Sequence, residues 1–202
     1  MNTRKRAYGC IVLAILFMSV SCATTHLMSV WKSESYKGPV KKVAVIGVSR
    51  RPHIRTLFEN EWVKDLKARG TDAVASDEIL TMKELGNPQV VLAKIKELGA
   101  DAVLVTRLID RSSLPNYIPG RMDQMPNYES GWSDYYGDAF ATQSSATGGE
   151  YAYLETNVYD IRTEQIVWSG RSDTWLSEDD QKTITSFIGV IVSRLQADKI
   201  VQ

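Results

Sequence analysis

Few side chains in this 202-residue chain are suited to chemistry: it has two cysteines, Cys10 and Cys22, and two histidines, His26 and His53. A serine or cysteine nucleophile needs a base within hydrogen-bond reach. Gly131-Trp132-Ser133-Asp134-Tyr135 matches the first half of a nucleophile elbow but lacks the second glycine, and His26 lies close to the amino terminus. That leaves His53 as the one histidine base of the main body, so serine-hydrolase chemistry is not expected. Metal ligation has no better footing, because no two histidines share a helix face. Asp134, Asp138, Asp179 and Asp180 fall in a loop or at a helix start, where carboxylates serve as caps. Carboxylate pairs for glycoside hydrolysis meet in space rather than in sequence, and no such pair stands out. Ser49, Arg50, Arg51 and His53 follow the first strongly apolar run and open a helix, a place that favours anions in open α/β sheets. A phosphate-cradling loop needs several glycines, and only Gly47 is present. Arg50 and Arg51 are therefore read either as solvated surface charges or as an anion site, and no cofactor or metal is expected.

Cys22 has a more specific setting. Arg4, Lys5 and Arg6 precede an apolar run from Ile11 to Val20, broken only by Ser19, and then Ser21 and Cys22. A basic start, about ten apolar residues and small residues before a cut site make a secretory signal, too short for a span of about 20 residues. Ser19-Val20-Ser21-Cys22 resembles the lipobox of bacterial lipoproteins. The resemblance implies that residues 1–21 are a lipoprotein signal peptide, that Cys22 is lipidated, and that it becomes the first residue of the mature protein. The alternative is an uncleaved signal anchor or a secreted protein in which Cys22 is incidental. Cleavage removes three cations and no anion, leaving 21 basic against 24 acidic side chains and Cys22 as the sole thiol. No internal disulfide is then available, and no basic field exists to hold nucleic acid. In lipoproteins of this kind the next residue sorts between membranes. Ala23 implies the cell outer membrane, periplasmic face, with the membrane as a partner through the lipid anchor.

The composition, 44% hydrophobic and 24% charged, suits one packed core. Residues 22–41 are polar and aperiodic, with Thr24, Thr25, Ser29, Ser33, Ser35, Gly38 and Pro39, and read as a lipidated terminus and flexible tether. Such a tether spans about 25 Å on average and would let the domain stand clear of the headgroups. Residues 42–202 read as a single α/β domain. Val43 to Val48 is a buried strand, and Ile54, Leu57, Phe58, Trp62, Val63 and Leu66 mark an amphipathic helix stopped by Gly70. A short strand at Asp72 to Ala75, a helix opened by Asn87-Pro88 and closed by Gly99, and a strand from Ala102 to Asp110 complete a βαβαβ order. Glu150 to Asp160 and Ile166 to Trp175 read as an antiparallel hairpin. A C-terminal helix follows, with Ser177 and Asp180 as its capping pair and a stripe of Ile184, Phe187, Ile188, Ile191, Val192 and Leu195. The fold class is α/β with a mixed sheet of about five strands.

The runs "KKVAVIGVS", "GADAVLVTRLID" and "YLETNVYDIRTEQIVWSGRSDT" resemble a family of uncharacterised bacterial envelope lipoproteins. More distantly they are similar to the α/β domains of the curli secretion lipoprotein and the Tol-Pal translocation protein amino-terminal domain. Val167 to Gly170, "VWSG", is the most specific piece, and no catalytic residue comes with the resemblance. After Asp160-Ile161-Arg162-Thr163 the hairpin continues with Glu164 rather than glycine, so a left-handed position there costs about 1 kcal/mol. Residues 111–149 read as one long loop bearing Tyr117, Tyr128, Trp132, Tyr135 and Tyr136. A loop of that length is either a docking surface or an insertion that hides its rings. The expectation is a non-enzymatic, lipid-anchored periplasmic binding or scaffold protein, with an envelope protein partner contacted by the hairpin edge and the aromatic loop. The alternative is a small-molecule or glycan binding module using the strand-end crevice. Homo-oligomers are expected if a hairpin strand is left at the sheet edge.

Overall fold

Val43 to Ile46 are wholly buried, as a strand covered on both faces requires, and they belong to an interior strand of a six-stranded mixed sheet. The computed structural model describes residues 25–113, 131–142 and 148–202. Its elements in chain order are β1 (Thr25–Lys32), β2 (Lys42–Val48), α1 (Pro52–Ala68), β3 (Asp72–Ala75), α2 (Pro88–Glu97), β4 (Ala102–Ser112), α3 (Trp132–Ala141), β5 (Tyr151–Asp160), β6 (Ile166–Trp175) and α4 (Asp180–Ala197). The strand order is β1-β6-β5-β4-β2-β3, with β2 parallel to β3 and β4 and every other pair antiparallel. The α/β class and the βαβαβ start, hairpin and terminal helix are as the sequence implies. No helix among the described residues is long and apolar enough to cross a membrane.

Side-chain alternation assigns the two faces. Val43, Val45, Leu104, Val158 and Trp168 point to the face covered by α1 and α4, where Trp62, Phe187, Ile191 and Leu195 meet them. Ala44, Ile46, Val103, Val105 and Tyr159 point to the other, covered by α2 and α3. The result is three layers. α1 and α2 each end ahead of a glycine at positive φ, Gly70 at 94° and Gly99 at 65°, where a side chain would be strained.

The expected tether over residues 22–41 is corrected for its described part. Thr25–Lys32 forms β1, antiparallel to β6, with Thr25 opposite Thr174 and Lys32 opposite Trp168. Its register slips between Leu27 and Ser29, so Leu27 and Val30 pack on the same core although three residues apart. This interruption of the two-residue period is why the segment reads as aperiodic. Val40 is also fixed, its amide donating to the Ile200 carbonyl at 2.8 Å.

The same strand removes the expected hairpin edge. β6 lies between β5 and β1, so it offers no edge to a second copy or a partner, and the described edges are β1 and the four-residue β3.

The loop expected over 111–149 is corrected at its described part, where Trp132–Ala141 is helix α3. Trp132, Tyr135, Tyr136 and Ala139 stand at helical spacing and are all buried. At α4 the expected Ser177 and Asp180 pair gives way to Asp179, whose Oδ1 accepts from the Lys182 amide at 3.2 Å. The Ser177 hydroxyl instead donates to the Asp179 carbonyl at 2.8 Å. α2 is capped as the sequence implies, by Asn87 Oδ1 accepting from the amides of Gln89 and Val90.

Candidate functional site

α1 and α4 cover one face of the sheet, and both start at the same end of it. Where they are close, the Phe58 and Phe187 rings stack with centroids 5.8 Å apart, and Trp62 meets Phe187 edge-on at 6.2 Å. Beside the stack, the amino-terminal parts of both helices and the strands below them line a crevice of about 390 Å³. That volume lies within the range of small-ligand sites. Ile54 and Phe58 of α1, Leu108 of β4, Leu154 of β5, and Ile184 and Phe187 of α4 supply its apolar walls. Arg50 and Arg51, both exposed, line it where β2 passes into α1, and Arg111 joins them from the end of β4. The Arg111 Nε is shielded from solvent without a hydrogen-bond partner. Asp180 stands on the α4 wall.

Local sequence explains the arginine rim. β2 stops at Val48, and the Ser49 hydroxyl oxygen accepts from the Arg51 amide at 3.2 Å, turning the chain toward α1. Pro52 then starts the helix, where its missing N–H costs nothing. Arg51 at the cap position provides no side-chain cap, and no acidic residue stands in the first turn. The amino end of α1 therefore keeps its uncompensated partial positive charge beside the two arginines.

The floor of this corner is pinned by a buried carboxylate. Glu59 Oε1 accepts from the Gly47 amide (2.9 Å), Arg55 Nε (3.0 Å) and the Ser76 hydroxyl (2.7 Å), and Oε2 accepts from the Asp77 amide (2.8 Å). Burial pushes the Glu59 carboxyl up from its ordinary value against the pull of these donors and of Arg55. Every donor comes from the protein, so Glu59 ties β2, α1 and the turn after β3 together.

A second buried carboxylate lies across the sheet. Glu155 of β5 accepts at Oε1 from the Tyr135 hydroxyl (2.8 Å) and Arg107 Nε (3.1 Å), and at Oε2 from Arg171 Nε (2.9 Å). The Arg107 guanidinium also sits 5.1 Å from the Tyr135 ring centroid. Burial, reinforced by the Glu155 charge, holds the Tyr135 phenol well above its ordinary pKa, so it stays a donor. This cluster clamps α3 to the sheet.

The residues singled out from sequence thus separate. Arg50 and Arg51 line the crevice, whereas Trp132, Tyr135 and Tyr136 are core side chains and present no docking surface. Trp132 stacks on Tyr136 at 4.6 Å and donates from Nε1 to the Pro88 carbonyl at 3.1 Å. Cys22, Tyr117 and Tyr128 lie outside the described residues. Sequence reading missed Leu108, Leu154 and Arg111, which only the strand register brings opposite α1. It also missed the Glu155 cluster, because Glu155 and Asn157 on the alternate face of β5 look like a solvated strand face. Among the described residues no group of three or more metal-binding side chains comes together.

No protein-family model and no curated protein matches the chain. Among solved structures the chain is similar to the PelC dodecamer from Paraburkholderia phytofirmans, at 15% identity over 88% of this chain and 99% of that one, with a TM-score of 0.49. It is similar to a variant of the same dodecamer at 17% identity, 84% and 98% coverage and a TM-score of 0.47. Lipoprotein GNA1162 from Neisseria meningitidis follows at 10% identity, 77% and 98% coverage and a TM-score of 0.39. The structural comparisons bring forward PelC and a Neisseria lipoprotein, where the sequence resemblance pointed to uncharacterised envelope lipoproteins and, more distantly, to the curli secretion lipoprotein and the Tol-Pal protein.

Proposed function

We propose that the chain is a lipid-anchored binding protein of the bacterial cell envelope, held at the periplasmic face of the outer membrane through Cys22 and working by binding rather than catalysis. The observation that carries the binding half is the crevice, whose apolar walls and arginine rim suit a ligand with an apolar body and an anionic end. The lipobox and the apolar run before it support the anchor. Of the two expected modes, the crevice module gains the support that the scaffold loses, since β6 is covered by β1 and the described aromatic residues of 131–142 are internal. Arg55, which lines the crevice, is engaged with the buried Glu59 in fixing the fold.

Mass spectrometry of the protein from cells tests the anchor. The expected mature chain starts at Cys22 with added acyl mass, and globomycin, which blocks the lipoprotein signal peptidase, leaves residues 1–21 attached. An unmodified amino terminus at any position refutes the anchor.

A further inference from the structure

The position of β1 decides where a lipid on Cys22 would enter the fold. Thr25 pairs with Thr174, their hydroxyl oxygens 2.9 Å apart, and Thr174 lines the crevice. Only Ala23 and Thr24 lie between Cys22 and Thr25, so the lipidated residue is within about 10 Å of that end of the sheet. The crevice opens at the same end, where β2 and β4 finish, β5 begins and both α1 and α4 start.

Two further features gather there. Trp175 and Met82, at 42% and 41% exposure, are the exposed large apolar side chains among the described residues. Trp175 directly follows Thr174, and Met82 Sδ accepts from Arg55 Nη1 at 3.0 Å in the first turn of α1. Tryptophan at the border of water and hydrocarbon, with arginine at headgroup level, is the pattern of a membrane-facing surface. Arg50 and Arg51 have no ion-pair partner among the described residues. The facing wall contributes one carboxylate, Asp180, in the first turn of α4 at the positive end of that helix, behind the Asp179 cap.

We infer that this end of the sheet is a membrane-docking surface, and that the crevice takes a bilayer phospholipid, with its phosphate on Arg50 and Arg51 and its first methylenes between Ile54 and Leu154. The inference rests on the anchor proposed above. Charge complementarity and the placement of Thr25, three residues after Cys22, at the mouth of the crevice both select a lipid as occupant. A crevice walled by leucine, isoleucine and phenylalanine would otherwise stay open to water directly beside a bilayer.

The test uses the full chain in cells with the photocrosslinker p-benzoylphenylalanine incorporated at Ile54, and separately at Glu97, exposed at the far end of α2. Intact mass after irradiation should show a phospholipid adduct from position 54 and none from position 97. Combining Arg50→Glu with Arg51→Glu, both on the surface, should lower the adduct yield about tenfold or more. A protein adduct at position 54, no adduct on chains whose Cys22 is acylated, or an undiminished yield in the double variant would overturn the inference. The same spectra report acylation of Cys22, so loss of the anchor is read separately from loss of the lipid site.

Discussion

Glu155 is the residue on which α3 depends. Its carboxylate has no solvent exposure and is neutralised by Arg107 and Arg171, with the Tyr135 hydroxyl completing Oε1. Tyr135→Phe removes one hydrogen bond to a buried charge and should cost about 1.5–3 kcal/mol in denaturant unfolding, with the slope unchanged. Glu155→Gln removes the buried carboxylate that Arg107 and Arg171 share and should cost about 3–5 kcal/mol. Equal effects of the two substitutions would contradict this ranking.

Glu84 gives a pH-dependent contact at the same scale. Its carboxylate meets Lys94 Nζ at 2.8 Å and accepts from the Thr81 amide and hydroxyl, each at 2.8 Å. The hydrogen bond from Lys94, followed by those from Thr81, lowers its pKa from 4.5 to about 2. A depressed acid stabilises the fold above its ordinary value and loses that contribution as pH falls through the depressed one. The 81–94 contact should therefore hold at pH 4.5 and come apart toward pH 2, which the Glu84 side-chain resonance in an NMR titration reads directly.

Among the elements, β6 shows why a short motif can be specific. In Val167-Trp168-Ser169-Gly170, the Trp168 ring folds over Gly170, so a Cβ there would lie 2.3 Å from Trp168 Cη2. The ring is further held by its Nε1 donating to Asp198 Oδ2 at 2.8 Å. Gly170→Ala should force the indole off this bond and cost about 1–3 kcal/mol, visible as a lower midpoint of thermal unfolding.

The elements also show what was legible. β3 and β6 are read from sequence with the bounds they have in the structure, because turn residues bracket short β-rich runs. The hairpin turn follows the same logic: Glu164 takes φ of 58°, and Asp160 Oδ1 supports it by accepting from the amides of Arg162 and Thr163. β1 escaped because its bulge breaks the alternation, and α3 because Gly131, Gly137 and nearby prolines obscure a helical spacing that is present at 132, 135, 136 and 139. The arginine rim was legible in Arg50 and Arg51. The crevice itself was not, since its walls come from six elements, β2, α1, β4, β5, β6 and α4, that only long-range pairing brings together.

For the whole molecule, the correction of the tether changes the geometry of anchoring. A coil of about 25 Å would uncouple the domain from the bilayer, whereas on the anchor proposed above only two residues would separate the lipidated Cys22 from β1. Inserting ten glycine and serine residues after Thr24 lengthens that link to an average span of about 20 Å and should lower the phospholipid adduct at position 54 several-fold, while Cys22 stays acylated. An unchanged yield would mean that proximity to the anchor has no part in lipid capture.

The pairing of β1 with β6 has a mechanical consequence. On the anchor proposed above, a tug on the acyl chains would enter the body at Thr25, along the axis of a strand whose partners run from Thr174 to Trp168. The load then falls in shear on the whole ladder at once, instead of peeling its rungs one by one, and Trp168 bolts the far end to the terminal helix through Asp198. The fold is braced along the direction in which a moving membrane would pull it.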